Sequence, residues 1–206
     1  MEPKAKDLIE ERQIHITQRH YINGTLDVQR RIGILRHTPF VMLVDFIVLF
    51  FTTKWFVEMY AANGEASTVE YGLLFFLTFC VIYSVFIFTS LLPTRFAVRA
   101  REDYNTGLVT KQIRFVRFYK DRFELSGTGI DITAYYSKMI QCLENDDLFL
   151  FVPDRSGLSY MIPKEDLGDF AGELHSRIRK EMGKRYHKMT SFPGRKDFGR
   201  SFNKGA

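Results

Sequence analysis

Residues 71–94, YGLLFFLTFCVIYSVFIFTSLLPT, contain no Asp, Glu, Lys or Arg, and Glu70 and Arg95 bound the run. As a helix this run rises roughly 36 Å, enough to cross a hydrocarbon core of about 30 Å. A soluble core helix rarely needs so long an uncharged stretch, so the segment reads as membrane-spanning. A second apolar stretch precedes it at residues 39–60, PFVMLVDFIVLFFTTKWFVEMY, interrupted by Asp45, Lys54 and Glu58. Trp55 and Tyr60 near its end fit interfacial anchors, and Lys54 can snorkel toward water. Between the two, AANGEASTVE is polar and contains Asn-Gly, which predicts a loop. Residues 38–94 are therefore expected to form a transmembrane hairpin.

Charge sets the expected orientation. Arg30, Arg31 and Arg36 precede the first span, Arg95, Arg99 and Arg101 follow the second, and the loop carries Glu65 and Glu70 without a basic residue. Positive flanks stay cytoplasmic, so both termini are expected there. Residues 1–36 are charged throughout and do not read as a secretory signal. Cys80 and Cys142 are the two cysteines; one lies mid-span, so no disulfide framework is expected, which suits a reducing compartment. The formal net charge of +5 admits three readings: nucleic acid, anionic lipid, or the flanks of membrane helices.

Outside the hairpin the pattern divides further. Residues 1–37 form an N-terminal cytoplasmic region. Its first twelve residues are charged and expected to fray, Gln13 to Thr17 (QIHIT) alternates like a short strand, and Gln18 to Arg36 reads as a juxtamembrane helix. Asn23-Gly24 is expected to break that helix, with Thr25 capping its second piece. Residues 95–110 read as a linker that can start as an extension of the second helix. From Lys111 the period becomes two. QIRFVRFY, a Lys120-Asp121 turn, RFELSG, IDITAY, KMIQCLE, LFLFV and LSYMIP make about six short strands. Lys164 to Met182 reads as an amphipathic helix with Leu167, Phe170, Ala171, Leu174 and Ile178 on one face and Glu165 and Asp166 in its first turn. Residues 183–206 hold seven Lys or Arg against one Asp and read as a disordered basic tail. The expected fold class is an α+β membrane protein: the hairpin plus a cytoplasmic, pleckstrin-homology-like antiparallel β half barrel at 111–182, closed by its C-terminal amphipathic helix. Gln13 to Thr17 is a candidate for a seventh strand.

The order of elements, together with FYKDRFEL, YYSKMIQCLENDDLFLFV and YMIPKEDL, resembles the bacterial YcxB-like proteins. The motif likeness is carried by residues 118–167, an aromatic strand pair, a Tyr-containing strand, an acidic turn, an LFLF strand and an Ile-Pro-Lys ending. The resemblance implies a bacterial cell membrane protein whose cytoplasmic domain has the pleckstrin-homology-like fold. It transfers no catalytic residue.

Two sets of residues are candidate contacts. Asp45 lies about six residues inside the first span, and an intramembrane carboxylate is costly. It reads either as an intramembrane contact, with a transport or export subunit as the matching function, or as a hydrogen bond to Tyr83, Thr89 or Ser90 that fixes the hairpin. Lys111, Arg114, Arg117, Lys120 and Arg122 cluster on the first hairpin of the β region and read as a site for anionic headgroups or a partner, or more plainly as the solvated side of a strand pair. Tail cations Lys184, Arg185, Lys188, Arg195, Lys196 and Arg200 extend the same basic character. His15, His20, His37, His175 and His187 have no metal-ligand spacing and read as exposed, and Asp146-Asp147 reads as a solvated turn. No P-loop, GxSxG or HExxH motif occurs. The expected function is a non-catalytic, membrane-anchored interaction module, without cofactor or nucleic acid, that binds a protein partner or the anionic inner leaflet.

Overall fold

The computed structural model describes residues 8–107, 113–154 and 159–189. These fall into two units, one built from residues 34–95 and the other from the two flanking parts of the chain.

The flanking unit is an α+β domain of two four-stranded sheets. Strands β1 (Leu8–Gln13), β2 (Ile113–Tyr119), β3 (Arg122–Gly127) and β4 (Ile130–Tyr135) form one antiparallel sheet in sequence order. Strands β5 (Gln141–Glu144), β6 (Leu148–Val152) and β7 (Tyr160–Pro163) pair antiparallel in the second sheet, and β8 (Tyr186–Lys188) adds to the free edge of β5 in parallel. Lys120-Asp121 and Thr128-Gly129 make the tight turns of the first sheet, with Gly129 at φ 75° supplying the left-handed residue that the second turn needs. Helix α5 (Phe170–Met182) follows β7.

The inward faces of both sheets and of α5 share one core. Val116, Phe118, Phe123 and Leu125 meet Cys142, Phe149, Phe151 and Ile162 there, and α5 adds Phe170, Leu174, Ile178 and Met182, four apart along one stripe. Phe123 and Phe151 lie 4.6 Å apart and Phe118 and Phe170 5.2 Å apart, both tilted. A second core lies on the other face of β5–β7. Helix α1 (Gln18–Arg31) covers Leu143, Leu148, Leu150, Val152 and Met161 with Val28, and Ile16 joins them. This explains why β6, LFLFV, is buried at every position: one face meets the first core and the other meets α1.

Several expectations at the edges of elements are corrected. The N-terminal strand lies at Leu8–Gln13, all but its last residue in the stretch expected to fray, rather than at 13–17. Residues 14–17 are an extended connection pinned from three sides. Ile14 N donates to Arg114 O (2.8 Å), His15 N to an Asp166 carboxylate oxygen (2.7 Å), and Tyr104 Oη to Ile16 O (3.0 Å). Their alternation is real burial, but it splits between cores, Ile14 entering the first and Ile16 the second. Helix α1 runs unbroken through Asn23-Gly24 and is capped by Thr17, whose hydroxyl accepts from His20 N. Gly24 is there for contact: a Cβ on it would come within 2.9 Å of Met161 Sδ and 3.0 Å of Leu150 Cδ2. The C-terminal helix starts at Phe170 instead of Lys164, because Gly168 at φ 55° interrupts the turns before it. Asp166 is freed by this to hold the His15 amide. The expected tail begins in order, as a 3-10 turn at Gly183–Arg185 and then β8.

The other unit holds helices α2 (Thr38–Asn63) and α3 (Thr68–Phe86), preceded by a 3-10 turn at Ile34–His37. Gly64 at φ 73° ends α2, and Ser67 with Glu70 forms a capping box at the start of α3, so the loop is shorter than the polar composition predicts. A π-helical turn, Ile87–Leu91, leads from α3 into α4 (Leu92–Asn105), so the expected linker is largely helical. By length and composition, Ile34–Ala62 and Thr68–Asn105 can each cross a membrane.

Candidate functional site

The most concentrated polar chemistry in the flanking unit gathers on Glu144, the last residue of β5, which is 4% exposed. Lys164, just past β7, donates from Nζ to its Oε1 at 2.6 Å. His175 of α5 reaches Oε2 through Nδ1 at 2.6 Å, and a carboxylate can only accept, so Nδ1 carries the proton. Tyr186 of β8 donates its hydroxyl to the same Oε2, and that hydroxyl lies 3.0 Å from His175 Nδ1. The Lys164 ammonium also sits over the Phe149 ring, 5.0 Å from its centre. Burial pushes the Glu144 carboxyl up, but the hydrogen bonds from Lys164, Tyr186 and His175 outweigh it and hold the group below its ordinary range. The Tyr186 phenol moves the other way, raised by burial and by the neighbouring Glu144. A general base near neutrality needs a carboxyl tuned upward. Glu144 is tuned downward and tied to three elements, so it clasps β5 to α5, to β8 and to the turn after β7.

Sequence reasoning passed over this cluster. The four residues come from β5, β8, α5 and the turn after β7, and no local spacing links them. His175 was expected to be exposed; it is instead bonded to Glu144, and His20 is buried at the start of α1. A second buried pair was missed for the same reason. Asn145, 2% exposed in the turn expected to be solvated, donates from Nδ2 to Asp27 Oδ2 of α1 at 2.7 Å, and its own Oδ1 accepts from Asp147 N and Leu148 N.

The basic hairpin is less open than its composition implies. Arg117 is bonded to Glu11 of β1 at 2.9 Å. Arg122 reaches Glu124 at 3.2 Å and Asp121 at 3.3 Å, and its guanidinium lies over the Tyr119 ring. Register explains the first pair: Glu11, Arg117 and Glu124 stand side by side across β1, β2 and β3. Arg114 and Lys120 are exposed and have no ion pair among the described residues. Lys111 lies outside the described residues, as do Arg195, Lys196 and Arg200.

In the hairpin unit, Asp45 is half-buried on α2, and its Oδ2 is enclosed with no hydrogen-bond partner among the described residues. The expected bond to Thr89 does not form; that hydroxyl donates to Val85 O of its own helix at 2.7 Å.

No family model matches the chain, and comparison with curated proteins and with solved structures yields no match.

Proposed function

We propose that this chain is a membrane-anchored, non-catalytic interaction module of a bacterial cell membrane, with two spans, both termini cytoplasmic, and a pleckstrin-homology-like domain that takes a protein partner at the bilayer surface. Supporting the anchor are the two long apolar helices and the arginines that flank them. Four antiparallel strands, then three, then one helix on the shared core support the pleckstrin-homology-like reading, with α1 and the hairpin inserted between the first and second strands. The likeness of residues 118–167 to YcxB-like proteins points the same way. Fold alone does not assign a role.

The observation that carries the reading is the pairing of β1 with β2. The chain passes from residue 13 to residue 113 between these neighbours, through both long helices. The domain is thus tied to the hairpin by two chain crossings, which favours a body held at one surface where local concentration raises binding. A protein partner is preferred to the anionic leaflet because Arg117 and Arg122 are already matched by Glu11, Asp121 and Glu124. Two measurements on the full chain test this. Photocrosslinkers at exposed domain positions in native membranes should yield a discrete protein adduct. In nanodiscs, amide protection over residues 113–127 should be the same on neutral and anionic lipid. Salt-sensitive protection on anionic lipid alone, with no adduct, overturns the protein-partner reading in favour of the leaflet.

The enclosed, unpartnered oxygen of Asp45 favours one alternative, a small subunit of a transport or export complex with Asp45 as its intramembrane contact. Asp45→Asn should then dissolve a membrane complex that the wild-type chain forms; an intact complex removes that alternative's residue-level support.

A further inference from the structure

Strand β8 is attached to the domain unlike any other strand. It is three residues long, it is the one parallel strand in the two sheets described, and it lies at the free edge of β5. Parallel pairing is the weaker kind per residue. Tyr186 packs against the edge of the first core and Met189, just past the strand, against the second, and the remaining ties of residues 185–188 are polar. Tyr186 reaches Glu144 and His175, Arg185 donates from Nη1 to the carbonyls of Ser137 (2.9 Å) and Met139 (2.7 Å), and His187 contacts the Arg31 guanidinium at 3.1 Å. One backbone bond, Met189 N to Glu144 O at 2.7 Å, closes the end. Gly183, at φ 51° and ψ -119°, sits between α5 and this segment in a conformation that glycine alone adopts readily.

From these contacts we infer that the edge of β5, beside α5, is a strand-addition site for an extended Arg-Tyr-containing peptide of a partner protein, and that residues 185–188 are its occupant within the chain. The inference rests on the protein-partner reading above and names its surface. An exposed edge offers unpaired backbone groups to any extended chain, and alternate side chains then supply selectivity. Here the selectivity is visible in the occupant. The carbonyls of Ser137 and Met139 face a guanidinium, and the Glu144–His175 pair faces a neutral phenol. The buried Glu144 carboxylate repels a phosphate, so the site takes tyrosine and rejects phosphotyrosine.

The test uses a fluorescent peptide of residues 183–189, GKRYHKM, and the full chain in nanodiscs. The resident strand competes at an effective concentration in the millimolar range, so wild type should bind the peptide poorly. Tyr186→Ala, which loosens the resident strand, and a chain ending at Met182 should each bind it about 10-fold or more tighter. Changing the peptide tyrosine to phenylalanine should weaken binding several-fold, and phosphorylating it should abolish binding. Retained amide protection in β6 establishes that each variant is folded, and Tyr186→Ala decides should the shortened chain not fold. Equal, weak binding by wild type and folded Tyr186→Ala overturns the inference. It leaves the crosslinking test of a partner elsewhere on the domain standing. A wild-type dimer that dissociates as the peptide binds overturns the foreign partner in favour of a second copy.

Discussion

Asn145 binds three groups with one short side chain: a carboxylate from α1 and two backbone amides of its own turn. Removing it leaves a buried acceptor and two donors to be satisfied otherwise. Asn145→Ala should lower unfolding free energy by about 2–3 kcal/mol, measured by denaturant titration in detergent. Glu144 makes a different prediction, in pH. Its folded carboxyl is depressed below the ordinary 4.5, so its contribution is complete above about that pH and is lost as pH falls through the lower folded value. His187, depressed by burial and by Arg31, adds a similar loss that begins just below its ordinary 6.5. Lys164→Met removes the ammonium bond to Glu144, lets the folded carboxyl rise toward its ordinary value, and should therefore shrink the lower of these two losses, as followed by thermal melts across a pH series. None of this was legible from sequence. Asp146 is indeed exposed and Asp147 half-buried, but Asn145 beside them and Glu144 at the strand end are buried, and what buries those two arrives from α1, α5 and β8.

At the scale of elements, the strands with clean two-residue alternation and the stripe of α5 were legible, since each buries one face against the core. The strands that were missed bury little. β1 reads LIEERQ, with Ile9 as its one side chain packed on the core, and it is fixed by ladder bonds and the Glu11–Arg117 pair rather than by apolar pattern. β8 has no alternation to display. Asn-Gly in α1 misled for a physical reason. Glycine usually marks a turn, whereas Gly24 lets a helix sit close on Met161 and Leu150. An alanine there gains about 1 kcal/mol of helix propensity and meets only the tips of two flexible side chains, so Gly24→Ala should change stability by less than about 1 kcal/mol. Gly24→Leu has no such room and should cost about 3 kcal/mol, measured by the same titration.

For the whole molecule, the second apolar helix was legible because the uncharged run at 71–94 is of a length rare in soluble chains, and the first because Trp55, Tyr60 and the flanking arginines frame an apolar stretch broken only by Asp45, Lys54 and Glu58. The division into consecutive domains was misleading. A domain starting at Lys111 lacks β1, which pairs with β2, and α1, which covers β5–β7. Residues 111–206 alone should therefore fail to give cooperative unfolding. Residues 1–33 joined to 96–206 through a Gly/Ser linker of roughly 20 residues, reaching roughly 25 Å, should give a soluble, cooperatively melting domain by calorimetry. The separation of β1 from β2 also puts a clock on the birth of the protein. At about 5–20 residues per second, β1 leaves the ribosome about 5–20 s before its neighbour exists. During that interval both apolar helices are made, while the nascent edge stays single. The sheet closes only after they have been synthesised, so a closed domain certifies that the chain between its first two strands has already been made.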